Sequence, residues 1–276
     1  MRKLVLALIT ALLLPAGASA WDRSYHPGAD GRLSFNKVTS IELFGWKSDL
    51  DGTVNVENGT DIDLDSDVAF GTENRLGLRL SHVLSEKSAI ELSYLKHDHT
   101  GSINKAVKFD NKNYQANASM RLQNSWLDLA WSYNLITSKY IDVDAHEAFY
   151  LDGVFGIKFS NSEINLTGAD ALGGRIEESW SESFPLPYIG LAAGGQISDN
   201  VWLRGNFKVI KVNAGGYDAL HNDYSINAAL RLNPKSTETE WFADVGYRGV
   251  KYDLEGEGDK AEIKYTGPTL GVFARF

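Results

Sequence analysis

From residue 38 to the carboxyl terminus, apolar and polar side chains take turns along this 276-residue chain. Between Trp126 and Leu135, Leu127, Leu129, Trp131, Tyr133 and Leu135 fall on one side, and Asp128, Ala130, Ser132 and Asn134 on the other. A repeat of two is the signature of a β-strand with different surroundings on its two faces. The pattern returns with Phe149, Leu151, Gly153, Phe155, Ile157 and Phe159 opposite Tyr150, Asp152, Val154, Gly156 and Lys158. It returns again with Leu76, Leu78 and Leu80 opposite Arg75, Gly77, Arg79 and Ser81. Ten strands are predicted, at 38–47, 73–83, 88–97, 124–135, 148–159, 186–197, 200–211, 222–233, 240–251 and 263–276. Most come close to the roughly 9–11 residues that cross a bilayer at a barrel's tilt.

The connections are of two kinds, and the kinds alternate. Short ones lie at Ser85-Glu86-Lys87, Ser198-Asp199 and Pro234 to Thr239, with a longer one at Thr137 to Glu147. Long polar ones occupy roughly 48–72, 98–123, 160–185, 212–221 and 252–262. The stretch 98–123 reads two ways, because Val107, Phe109, Tyr114 and Met120 extend strands beyond the membrane or form a further hairpin. Eight and twelve strands are therefore alternatives to ten.

The last strand ends on the final residue, with Leu270, Val272, Ala274 and Phe276 on one face. A closing strand with a terminal Phe resembles the last strand of bacterial outer-membrane β-barrels, where it serves as the assembly signal. The fold class expected is thus all-β, a transmembrane antiparallel up-and-down β-barrel. In hydrocarbon no water satisfies an open sheet edge, so 38–47 must pair with 263–276. Short turns in such barrels are periplasmic and long loops external, which puts both termini in the periplasm. Partners implied by the resemblance are outer-membrane lipid and the barrel assembly machinery, with a monomer as the simplest state.

Residues 1–20 fit a secretory signal followed by the barrel domain at 21–276: Arg2 and Lys3, an apolar run from Leu4 to Leu14, and Ala18-Ser19-Ala20. Acidic residues outnumber basic ones 36 to 27, which argues against nucleic acid as a partner. The sequence has no Cys, which removes thiol catalysis and thiolate metal sites. A mean hydropathy of −0.25 would suit a soluble protein, yet a barrel shows only alternate residues to lipid.

With apolar faces outward, the lumen receives Glu42, Arg75, Arg79, Glu91, Asp128, Asp152, Lys158, Arg204, Lys208, Arg231, Asp244, Arg248 and Arg275. Unpaired in a narrow interior, each charge would cost several kcal/mol, so interstrand ion pairs are expected. Either they form a cross-linked polar core that stabilises the barrel, or they ring a narrow conduit and set its selectivity. Trp126, Trp131, Tyr133, Trp202, Trp241 and Tyr247 fall toward strand ends and suit interfacial girdles, although Trp126 and Trp202 have inner-face parity. A soluble lipocalin-like barrel would turn the aromatic faces inward instead.

Two clusters offer chemistry. Asp61, Asp63, Asp65 and Asp67 stand at spacing two, on one face of an extended segment, and would suit a loop-bound divalent cation or simply a solvated rim. An EF-hand would require Gly at Ser66 and Glu at Thr72. The run Asp63-Leu64-Asp65-Ser66-Asp67 also resembles the acidic stretch after the first strand of some small outer-membrane barrels. His97 and His99 have a spacing that can chelate zinc, and otherwise read as exposed loop residues. Barrel proteases of the omptin group resemble this chain in having ten strands and external Asp and His residues, but no omptin motif matches residue by residue. The His-x-Ser pair of lipid deacylases is missing, since His221 is followed by Asn222 and Asp223. No catalytic residue is assigned. The role expected is structural or that of a narrow pore, with external loops free for contacts; the alternative is a rim hydrolase.

Overall fold

The computed structural model describes residues 39–56, 59–85, 87–137, 149–198, 200–214, 217–233, 239–256 and 258–276. The signal segment and most of the connection from Thr137 to Glu147 lie outside them. Ten long strands form the wall: β1 (Thr39–Asn55), β3 (Glu73–Ser85), β4 (Ser88–Ser102), β7 (Ser119–Thr137), β8 (Phe149–Ala169), β9 (Arg175–Ser198), β10 (Val201–Ala214), β11 (Tyr217–Arg231), β12 (Glu240–Gly256) and β13 (Asp259–Arg275). Each pairs antiparallel with the next. The wall closes where β13 pairs with β1, from Ser40 opposite Arg275 to Asn55 opposite Lys260. Three short strands sit outside it: β2 (Ile62–Asp63), added to the outer end of β1, and the hairpin of β5 (Val107–Phe109) and β6 (Lys112–Tyr114).

All ten predicted strands are present, and the faces point as the period of two requires. Leu129, Phe155 and Val272 are 47, 45 and 45% exposed on the outer wall, whereas Asp128 and Asp152 inside are 3 and 0% exposed. An outer wall of exposed leucine, phenylalanine and tyrosine is stable only against acyl chains, which is the reverse of a lipocalin-like arrangement. Trp131 and Phe155 share that wall with ring centroids 5.4 Å apart. Trp126 and Trp202 follow their parity inward and are buried, so they are no part of an interfacial girdle. Pro185, Pro187 and Pro268 lie within continuous strands, facing Phe159, Ile157 and Tyr247.

The long polar connections are shorter than the sequence suggested, because the strands continue beyond the lipid-facing band. Residues 160–169 and 175–185, expected as loop, pair residue for residue as the far halves of β8 and β9. Likewise β4 runs on to Ser102 and β7 begins at Ser119. Both readings of 98–123 thus hold together, since β5 and β6 form a hairpin between these extensions. Asp110 and Asn111 at its tip have φ of 44° and 60°, the backbone of a tight two-residue turn that suits Asp and Asn.

Above the band, the loop after β1 and the β5–β6 hairpin interlock as a cap. Ile62, Leu64, Val68, Ile103, Val107, Phe109 and Tyr114 are buried there, in one apolar cluster with the inward residues Leu50, Val54, Met120, Ile164 and Leu166. Backbone bonds tie the two pieces, Thr60 N–H to the carbonyl of Lys108 at 2.8 Å and Asn104 N–H to that of Asp67 at 2.9 Å. The cap therefore packs into the mouth of the barrel and is not a set of free loops.

Because Leu129 belongs to the lipid-facing band, Leu129→Arg should lower stability in vesicles by about 2–4 kcal/mol. Equilibrium urea unfolding in lipid reads this. A change under about 0.5 kcal/mol, typical of an ordinary surface position, would remove that face from the hydrocarbon.

Candidate functional site: the charged lumen and its cap

At the short-turn end, Glu240 on β12 receives Arg231 at 2.6 Å and Arg275, whose Nε is 2.9 Å away. The Arg275 guanidinium lies 5.4 Å from the centre of the Phe242 ring, which stacks on Phe273 at 4.5 Å. One layer further in, Glu42 receives Arg79 at 2.6 Å and has Arg204 at 4.0 Å from the far side. Arg79 also reaches Glu91 at 3.5 Å, and Arg204 pairs with Asp244, which accepts a second bond from Asn227 at 2.6 Å. Asp152 accepts from Asn134 at 2.7 Å.

The middle layer spans the lumen. Lys208 on β10 donates to Asp128 on β7 at 2.8 Å, and the Tyr188 hydroxyl on β9 donates to the same carboxylate at 2.6 Å. Tyr188 fits because β8 has a glycine beside it: a Cβ on Gly156 would lie 2.3 Å from the ring. Asp223 on β11 accepts from Lys158 on β8 at 2.9 Å and from Arg248 on β12 at 2.7 and 3.1 Å. Lys158 Nζ is also 2.9 Å from His221 Nε2. Strands two to four places apart round the wall are thus bolted together through its centre.

Above these ions comes a layer of rings. Trp46, His97, Trp126 and Tyr265 have neighbouring centroids 4.7–6.5 Å apart, and Arg248 lies 5.1 Å from the Trp46 ring. The apolar cap lies over them, with Phe70 against His99 at 6.0 Å.

Glu42, Glu91, Asp128, Asp152, Lys158, Arg204, Lys208, Asp244 and Arg275 are buried, while Arg75, Arg79, Arg231 and Arg248 are half-buried. Arg75 lies nearest the cap, bonded to the Asp98 carbonyl and 3.1 Å from Glu73. Sequence reasoning missed Asp223, Glu240 and His221, although parity could have found them. Asp223 shares its face with Arg231, and Glu240 with Asp244.

The other candidates stand elsewhere. His97 and His99 are no loop residues: both are fully buried on the inner wall, with rings parallel to within 9° at 6.1 Å. The extension of β4 past residue 97 carries them inward. The aspartate run is not extended either, since only Ile62–Asp63 is strand and a turn follows. Asp63 closes that turn by accepting the amides of Ser66 at 2.8 Å and Asp65 at 3.0 Å. The Ser66 amide holds the Asp63 carboxyl below the usual carboxylate range, so its contribution to the turn is present at neutral pH and fades as pH falls through that lowered value. Asp67 pairs with Lys105 at 2.5 Å, and Asp61 accepts from Asn55 at 2.8 Å. The histidines and the aspartates are not brought together, and among the described residues no group of three or more His, Asp or Glu is placed to hold a metal ion.

A ten-strand wall with a lipid-facing band, a charged interior and a layer of packed rings above it invites comparison with solved barrels. The outer membrane protease OmpT from Escherichia coli is similar, with a TM-score of 0.52 and 14% identity over 89% of this chain and 99% of that one. The fold is that of an outer-membrane β-barrel. Weaker likenesses reach the transport unit of the Escherichia coli autotransporter AIDA-I (TM-score 0.36, 10% identity, 98% and 96% covered) and the Pseudomonas putida toluene transporter TodX (0.29, 8%, 86% and 89%). No known protein family matches the sequence, and no curated protein does.

Within this outer-membrane barrel, Asp223→Ala would leave Lys158 and Arg248 buried without their shared carboxylate, a loss of about 3–5 kcal/mol by denaturant unfolding. Glu177→Ala breaks the exposed Arg175–Glu177 pair and should cost under about 1 kcal/mol. Equal effects would mean that the inner ions are hydrated.

Proposed function

We propose that the protein is a non-conducting outer-membrane barrel whose interior is a fixed scaffold and whose external rim makes the contacts. The observation that supports this is the stack of cross-lumen pairs, Glu42–Arg204, Asp128–Lys208 and Asp223–Lys158, beneath a layer of packed rings and an apolar cap. An ion entering such a lumen would have to displace paired charges from low-dielectric surroundings and then cross an apolar layer. Both steps are costly.

The short turns, the start of β1 and the end of β13 lie on one side, which in barrels of this kind is periplasmic, so the cap stands outside the cell. The rim also carries a cleft of about 530 Å³ on the outer wall, lined by Thr53, Lys211, Leu220, Asp253 and Glu262 among others. These five are cross-strand neighbours in one row, of the same parity as the lipid-facing residues below. Leu254 and Ala261, which have the parity of the inner wall, line it as well.

Planar bilayers test the scaffold reading. The purified protein should give no discrete conductance steps. Steps that change size in Lys208→Ala would replace this reading with that of a narrow pore.

A further inference from the structure

Histidine is the side chain whose ordinary titration falls between about pH 5 and 8, and two histidines are sealed beneath the cap. Both lie above Tyr94, the last lipid-facing residue of β4. His97 and His99 are 0% exposed and stack on one another at 6.1 Å. Tyr265 lies against both, at 4.7 and 5.8 Å, and Phe70 of the cap lies against His99. The rings of Trp46, Trp126 and Tyr265 belong to the same buried cluster as Leu64, Ile103 and Val107 of the cap, so the cap cannot lift without uncovering this layer.

The surroundings leave a proton charge unwelcome on either imidazole. His97 Nε2 and both ring nitrogens of His99 have no partner within hydrogen-bonding distance among the described residues, and the contact of His97 Nδ1 with Ser48 is long, at 3.4 Å. The charged groups that face the pair are mostly cations: Arg75 on β3, Arg248 on β12 and Lys158 on β8. Two carboxylates stand near His99, but Glu73 is held by Arg75 at 3.1 Å and Asp98 by Arg121 at 2.6 and 2.8 Å. β13 presents the Tyr265 hydroxyl, β1 presents Trp46 and Ser48, β7 presents Trp126 and Asn124, and none of these carries charge. From the cap come the Phe70 ring and the Gly71 backbone. His221 on β11 lies further off, behind Trp126 and Tyr252. Burial therefore holds both imidazoles in the uncharged form, below the ordinary histidine range. Surroundings this cationic repel a metal ion as they repel a proton.

We infer that His97 and His99 are an acid-sensitive latch for the cap: uncharged, they seat it, and on taking up protons they release it from the mouth of the barrel. A charged imidazole needs water, and with the cap seated these nitrogens are shut away from it. The capped state binds fewer protons than the open one. Capping is thus fully favoured above the free histidine value of about 6.5 and weakens as pH falls below it, by at most about tenfold per histidine per pH unit. The latch goes beyond the scaffold reading and holds whether or not the lumen below it conducts.

The chain has no Cys, so single introduced cysteines report on the cap without background. In the refolded full-length protein, Val107→Cys places a thiol on the buried side of the cap and Asn113→Cys places one on its exposed side. The ratio of their maleimide labelling rates cancels the pH dependence of the reagent and reads the open fraction. Between about pH 7.5 and about pH 5.5 this ratio should rise by roughly tenfold to a hundredfold, one factor of ten for each histidine. Carboxylates ordinarily titrate at about pH 4, below this window. In His97→Phe with His99→Phe, the ratio should stay within about twofold over the same range, while heat-modifiable gel migration reports an intact barrel. If that pair does not refold, His99→Phe alone should rise by no more than about tenfold, and by less than its parent. A ratio that stays flat with both histidines present, or that climbs as steeply once they are replaced, would overturn the inference.

Discussion

An amide or carbonyl facing hydrocarbon without a partner costs several kcal/mol, and that penalty organises this molecule. It forces the wall to close, β13 on β1, and closure splits every strand into a lipid face and a lumen face. Once Leu129 must look out, Asp128 and Ala130 must look in. The charges within are thus a consequence of closure as much as a device in their own right, and what remains for the sequence to decide is whether they find one another. They do so across the lumen, at separations no local motif could specify, as with Asp128 on β7 and Lys208 on β10.

That distinction marks what could be read from the chain and what could not. Which residues face inward depends only on parity within a strand, and of the thirteen residues parity selects, nine are buried and four half-buried. Where a strand ends depends on its surroundings. Residues 160–169 are polar enough to pass for loop, yet pair with β9 because each already has a partner strand rising beside it. The same extension overturned the reading of His97 and His99, since two further residues of β4 convert a loop position into a buried one. Partners were less legible still. Asp223 draws Lys158 and Arg248 from strands on either side, and nothing near residue 223 names residues 158 or 248.

The aspartate run shows the opposite case, a local motif that local chemistry explains. Spacing two suggested four carboxylates aligned for a cation, but Asp63 accepts the amides two and three residues on and bends the chain before any alignment can form. The turn then lets Leu64 and Val68 drop into the cap with Ile103 and Phe109. Here polar side chains spend their hydrogen bonds on shaping a loop, and the loop's apolar residues do the sealing.

Strand β10 carries a lysine on each of its faces. Lys208 and Lys211 carry the same group, but their separation is odd, so they face opposite ways. Lys208 is buried and held at 2.8 Å by Asp128, with its charge neutralised and its position fixed by the opposite wall. Lys211 is exposed at the first polar height above Phe207 and Val209, in a cross-strand row that also holds Asp253 and Glu262. One face therefore pairs its ions across a closed interior, and the other pairs them between neighbouring strands at the upper edge of the lipid-facing band, as Lys251 does with Glu262 and Asp253.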